Sequence, residues 1–246
     1  MNIKLVSSIF ALMGLLASSC SGNRTGAEAQ SPGAELSDSQ LLDTVQKAHL
    51  DYMWTGADSY SGLAYERIHL DGIYPSHDSL TVTTGGSGFG IAGLIVGMER
   101  GWIERSEGVA RLKKIVDWLQ RADRFHGVWP HWIDGATGKV IPFGQKDNGG
   151  DLVESSFLME SLLCVRQYMN PAVAEEKYVI DQINALWEGM EFDWYTRGGQ
   201  DVIYWHWSPE YGWEMNFPLE GYNECLIVYV LAAASPTHTV PADCYH

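Results

Sequence analysis

The sequence predicts an all-α chain: an (α/α) toroid present as about its first half, with short β-hairpin loops at one end of the helices. Three observations carry that expectation. From about Ser37 onward apolar residues recur at helical spacing almost without interruption. No long polar linker divides residues 37–246, which argues for one domain. The helices arrive as antiparallel pairs, the unit from which an inner ring wrapped by an outer one is built. The six or so that can be counted are roughly half of a closed six-hairpin ring, so the domain reads as incomplete.

The first helix is expected over about Ser37 to Trp54, with Leu41, Leu42, Val45, His49 and Met53 inward. Gly85 to Arg100 is rich in small residues and suits close packing. Ser106 is the expected cap of the next helix, to about Arg124, which buries Val109, Leu112, Ile115, Val116 and Leu119. Asp151 to Met169 follows and is stopped by Asn170-Pro171. Pro171 then starts a helix to about Tyr195, with Tyr178, Ile183, Leu186 and Trp187 inward. The last spans about Glu220 to Ala234. Between them lie two hairpin-like segments, Val128 to Ile141 turning at Asp134 to Gly138, and Val202 to Trp213.

Ahead of this domain, Leu5 to Leu16 is apolar but too short to span a bilayer, and it runs into Ala17-Ser18-Ser19-Cys20. Residues 1–20 therefore read as a lipoprotein signal peptide with Cys20 lipidated, and 21–36 as a flexible tether. That predicts an exported bacterial lipoprotein of the periplasm or outer membrane, held to the membrane only by its lipid. Removing residues 1–19 leaves 15 basic against 31 acidic residues, a net charge of −16. Nucleic acid is disfavoured as a partner, whereas a neutral polysaccharide meets no electrostatic penalty. Three cysteines remain, an odd number that suggests no disulfide framework, and Cys164 and Cys225 read as buried apolar filler. No Cys-x-x-Cys or His-x-x-x-His spacing is present, so no structural zinc site is expected.

The chemistry concentrates in two places. Asp147-Asn-Gly-Gly-Asp151-Leu-Val-Glu154 sets three carboxylates at the start of a helix, where mutual repulsion raises their proton affinity. The same residues also fit a capping box, and Gly149-Gly150 would let backbone approach a ligand. Glu224, at the head of the last helix, stands before Cys225-Leu-Ile-Val, where desolvation would favour its protonated form and the helix dipole would oppose it. Around these lie His126, Trp129, His131, Trp132, Trp205, His206, Trp213 and Tyr222, suited to stacking on sugar rings and hydrogen-bonding their hydroxyls. Glu66 and Arg67 read equally as a buried ion pair or a substrate clamp.

Several segments together resemble the bacterial glucoamylase-like family that includes the glycoside hydrolase family 144 endo-β-1,2-glucanases. They are Gly62 to Arg67, Gly86 to Ile91 with Gly97 to Ile103, His131 to Gly138, Asp151 to Leu163, and Gly221 to Glu224 with Ser235 to His238. The resemblance implies an (α/α)6 toroid, hydrolysis of a β-glucan with inversion, and acidic residues at Asp147, Asp151, Glu154 and Glu224; carboxylate-pair hydrolysis needs no metal or organic cofactor. Family members are much longer than this chain. The expectation is a monomeric glycoside hydrolase of a neutral glucan, β-1,2-linked first, with Glu224 as general acid and a carboxylate of the trio activating water. Two rivals stand beside it: a non-catalytic glycan-binding lipoprotein or inactive truncated relative, and a polysaccharide lyase, which the acidity and the scarcity of Lys and Arg disfavour.

Overall fold

A computed structural model describes residues 35–76 and 78–245. The signal-peptide and lipidation readings, Cys20 included, fall outside them. Six α-helices are present among the described residues: α1 Asp38–Trp54, α2 Thr84–Glu99, α3 Arg105–Leu119, α4 Leu152–Tyr168, α5 Ala174–Glu188 and α6 Leu226–Ala234. The strands are short: β1 Thr81–Thr83, β2 Trp132–Asp134, β3 Val140–Ile141, β4 Gly150–Asp151 and β5 His206–Trp207. No described helix is long and apolar enough to cross a membrane.

Helices α2, α4 and α6 form one layer, with α4 in the middle, and α3 packs on α5 behind them. The small residues of α2 make the central contact possible. A Cβ on Gly88 would stand 2.6 Å from the Phe157 carbonyl oxygen, so the helices could not approach this closely with alanine there. Along α3, Val109, Leu112, Ile115, Val116 and Leu119 are all buried, as their spacing requires. In α5, Ile183, Leu186 and Trp187 are buried, while Tyr178 faces outward and donates to Asp117.

Helix α1 departs from expectation. Leu41, Leu42, Val45 and His49 are exposed, and Leu50 is its one fully buried residue. Its contact with α2 is confined to the end where Leu50 and Met53 meet Gly90, Gly93 and Gly97. The apolar stripe is real, but the described chain supplies no surface to cover its first half. Other boundaries shift as well. Helix α3 has Glu104 at its N-cap and Ser106 already inside; α5 starts after Val173, not at Pro171; α6 starts at Leu226. Cys164 is exposed and Cys225 half-buried, so neither is core filler; Cys244 is buried.

The loops at the N-terminal ends of α2 and α4 carry the strands. β2 and β3 pair antiparallel across the turn at Asp134 to Gly138, and β1 adds to β2 through Thr83↔Trp132. The second segment is no hairpin on itself. β5 pairs instead with β4, Gly150↔Trp207 and Asp151↔His206, and a tight turn closes Ser208 on Gly212. That pairing explains the double glycine: a Cβ on Gly149 would strike the Trp207 carbonyl, and one on Gly150 the Tyr195 hydroxyl. The glycines admit a strand, not a ligand.

Candidate active site

Both strand systems deliver side chains to the head of α4. Asp151 is its N-cap: Oδ1 accepts from the backbone N–H of Val153 and Glu154 at 3.1 and 3.0 Å, and Oδ2 lies 2.9 Å from Nδ1 of His131. The capping half of the box is therefore real. The return half is not, because Glu154 Oε2 accepts the N–H of Gly85, at the head of α2, at 2.8 Å. Glu154 thereby ties the two central helices together at their positive ends. His131 is held by its own backbone carbonyl, which accepts from Thr84 N, while Thr84 Oγ1 donates to the Pro130 carbonyl.

Asp147 is buried beside this pair. Its Oδ1 is 3.4 Å from Nε2 of His206, and that nitrogen accepts the Gly149 N–H at 3.0 Å. Accepting an amide proton requires a lone pair on Nε2, so His206 is neutral with its proton on Nδ1. Burial pushes the His206 pKa down to about 4, against the attraction of Asp151. Burial likewise pushes Asp147 up to about 6, the Asp151 charge adding to it and His131 working against it. Glu154 is raised by burial and by Asp151, less what His131 and the Gly85 amide restore, with Glu224 contributing. For His131, burial favours the neutral ring, but the hydrogen bond and charge of Asp151, with Glu154 and Asp147 behind it, outweigh burial and raise its pKa.

Five buried side-chain polar atoms among the described residues lack a hydrogen-bond partner: Asp78 Oδ1, Trp132 Nε1, Asp147 Oδ2, Asn148 Oδ1 and His206 Nδ1. Three of them belong to the Asp147–Asn148 segment and the His206 ring that meets it, and a fourth to Trp132, next to His131. Native structures leave few such groups unsatisfied, and here four of the five cluster around the carboxylates. Facing atoms of His131, Asp147 and Asp151 lie within 4.8 Å of one another, a set that could hold a cation. However, both Asp151 oxygens and His131 Nδ1 are already engaged, and a cation would have to break those bonds.

The remaining sequence-predicted residues divide. Trp132 is half-buried, edge-on to Phe143 at 4.7 Å, with the Arg67 guanidinium 5.8 Å from its ring. Arg67 pairs with Glu66 at 3.3 Å and Asp78 at 3.5 Å on a partly exposed rim, so neither is a buried pair. Trp129 is fully buried, and its Nε1 donates to the Leu119 carbonyl. It is core, and the substrate-binding expectation for it is wrong: the loop before α4 needs an anchor between α3 and α4. Trp205 packs on the core and on Phe217. Tyr222 and Glu224 are exposed on the loop before α6. The desolvation expected around Glu224 is therefore absent, although its charge reaches Glu154. His126 and Trp213 sit apart, on the other side of β5. Sequence reasoning missed Phe143 and Gly85, because nothing local reveals which backbone amide or distant ring will complete the site.

Comparison with known proteins places this arrangement. The Glycoamylase family profile, described as "Putative glucoamylase", matches residues 216–246. A curated exo β-1,2-glucooligosaccharide sophorohydrolase (non-reducing end) of Parabacteroides distasonis is 46% identical over 213 residues, 86% of this chain and 29% of that protein. An endo-β-1,2-glucanase from Chitinophaga pinensis, solved with sophorotriose and glucose, is 57% identical with a TM-score of 0.84, over 86% of this chain and 50% of that one. A β-1,2-glucanase from Parabacteroides distasonis is 45% identical with a TM-score of 0.80, over 85% and 29%. The chain is homologous to the glucoamylase-like β-1,2-glucan hydrolases. It spans about half the length of the Chitinophaga protein and less than a third of the Parabacteroides ones. Its helices accordingly make up part of the (α/α) toroid of these glucanases, with the strand-bearing loops at the end that gathers the carboxylates.

Proposed function

We propose that this glucoamylase-like chain carries the acidic half-site of a hydrolase acting on a neutral glucan, β-1,2-glucan first, by general acid–base catalysis with inversion. The observation that carries the reading is the buried carboxylate group at the heads of α2 and α4, with unpaired Asp147, Asn148, His206 and Trp132 atoms around it. The homologues' action on β-1,2-glucans supports the linkage. In this mechanism Glu224 protonates the leaving glycosidic oxygen, and one of the trio orders and activates water on the opposite face. Asp147 is the trio member with a pKa raised to about 6 and a buried oxygen, Oδ2, that has no partner; both Asp151 oxygens are committed to the α4 head and His131, and Glu154 Oε2 to the α2 head, so these two position it. Trp132, Phe143 and Arg67 hold the sugar at the rim.

The localisation reading belongs here too. A leader ending at Cys20 would export the chain as a lipoprotein, anchored only through its lipid. Glu224's exposure favours one alternative, a glycan binder that does not cleave. Reducing-sugar release from a panel of neutral glucans separates them. The hydrolase reading expects release from one linkage, abolished by Glu224→Gln with binding retained. A folded chain that binds glucan and releases no sugar from any of them sinks it.

A further inference from the structure

His206 and Trp207 are consecutive in β5, so their side chains leave on opposite faces. His206 meets Asp147. Trp207 enters a separate aromatic cluster, edge-on to His126 at 4.9 Å and to Trp194 at 5.6 Å. His126 lies flat on Trp194, centroids 3.6 Å apart and planes within 11°, and its Nδ1 is 2.8 Å from Glu191. Trp213 stands 6.3 Å from Trp194, tilted by 31°. Trp194 and Trp213 border a cavity of about 380 Å³, lined also by Glu191, Asp193, Arg197 and His238.

Three features set this cavity apart from an accident of packing. Of the ten tryptophans, Trp194 is the most exposed, at 38%, although a rigid neighbour backs it and Asp193 caps its turn. Arg197 adopts a left-handed backbone, φ 54°, which a side chain rarely tolerates, at the mouth of the cavity. The indole N–H groups of Trp194 and Trp213 have no partner among the described residues.

We propose that this cavity is a second carbohydrate subsite, taking a neutral gluco-oligosaccharide on the Trp194 and Trp213 faces, with Arg197, Glu191 and Asp193 bonding its hydroxyls. A pyranose offers an apolar C–H face to an indole and vicinal hydroxyls to the charged groups around it. The mixture of cation and carboxylates suits a neutral polyol, not an anion or an apolar chain. The cavity opens across the β4–β5 pair from the carboxylates, so a long chain could be gripped there without entering the catalytic group. The choice of glucan as ligand rests on the proposed function.

The test is equilibrium binding of linear β-1,2-glucan, followed by β-1,3-, β-1,4- and β-1,6-linked chains, to the whole chain and its Trp194→Ala and Arg197→Ala variants. Sugar release and thermal melts are measured alongside. The subsite predicts affinity weakened about tenfold by Trp194→Ala, the effect of losing one aromatic anchor. It also predicts weakening by Arg197→Ala, with cleavage of the shortest oligosaccharides retained and glucan shielding the parent's Trp194 from acrylamide quenching. Glucan affinity unchanged in both variants overturns it and leaves the hydrolase reading standing. Trp194-dependent binding without cleavage keeps the subsite and overturns the hydrolase. A parent that binds no glucan overturns both. If Trp194→Ala melts abnormally, Arg197→Ala and the quenching result decide.

Discussion

Replacing Asp147 by Asn should make this protein more stable at neutral pH. Burial and Asp151 raise the Asp147 pKa from 3.8 to about 6, so the folded state holds a proton that the unfolded chain has already released. Between those values the folded state binds more protons, and stability falls as pH rises. Above pH 6 the whole cost is present. A shift of about two units corresponds to ~3 kcal/mol at neutral pH, fading toward zero near pH 4. Asn has the same shape and no charge, so the variant should melt roughly 6–12 °C higher at pH 7, for a domain of this size. His206 supplies an internal control. Its pKa is depressed to about 4, so it contributes stability that is present above its ordinary 6.5 and lost as pH falls through 4. In the parent the two slopes oppose one another; Asp147→Asn removes the falling one, so the gain in stability from pH 4 to 6.5 should be larger in the variant than in the parent. Calorimetric melts of both proteins at pH 4, 5, 6 and 7 measure this. An Asn variant no more stable than the parent at pH 7, or equally stabilised at pH 4, refutes the argument. The same titration predicts that turnover, if Asp147 activates water, falls away below about pH 6.

Trp129→Ala should cost about 3–5 kcal/mol of stability, as a fully buried aromatic does, while glucan affinity per folded molecule is unchanged. Trp132→Ala should do the reverse; urea titration beside binding isotherms distinguishes the two. Gly85→Ala would raise helix propensity by about 1 kcal/mol. Its Cβ, however, collides with the Glu154 carboxylate, so sugar release should drop by about a hundredfold with little change in melting. Melts and initial rates on one sample check both halves.

How much of this was legible in the chain depends on the range of the interaction. Asp151 could be read as an N-cap because capping is settled within three residues. The α3 core stripe and the hairpin at Asp134 to Gly138 are equally local, each following from a residue pattern or a turn. The carboxylates of 147–154 announced themselves by spacing, and their raised proton affinity followed from repulsion and burial. Other features needed the fold. Glu154 looked like the return half of a capping box until α2 brought the Gly85 amide to it. Gly149-Gly150 looked like a ligand cradle until β5 occupied the space. His126, Trp129 and His206 were indistinguishable as His–Trp neighbours, yet one stacks on Trp194, one is core and one meets Asp147. The sequence determined which segments are helical, the buried face of α3 and the acidic character of the site, because those are set by periodicity and short-range bonding. Only the tertiary structure decided which groups each carboxylate meets and which tryptophan faces solvent, because both depend on strands and helices far apart in the chain.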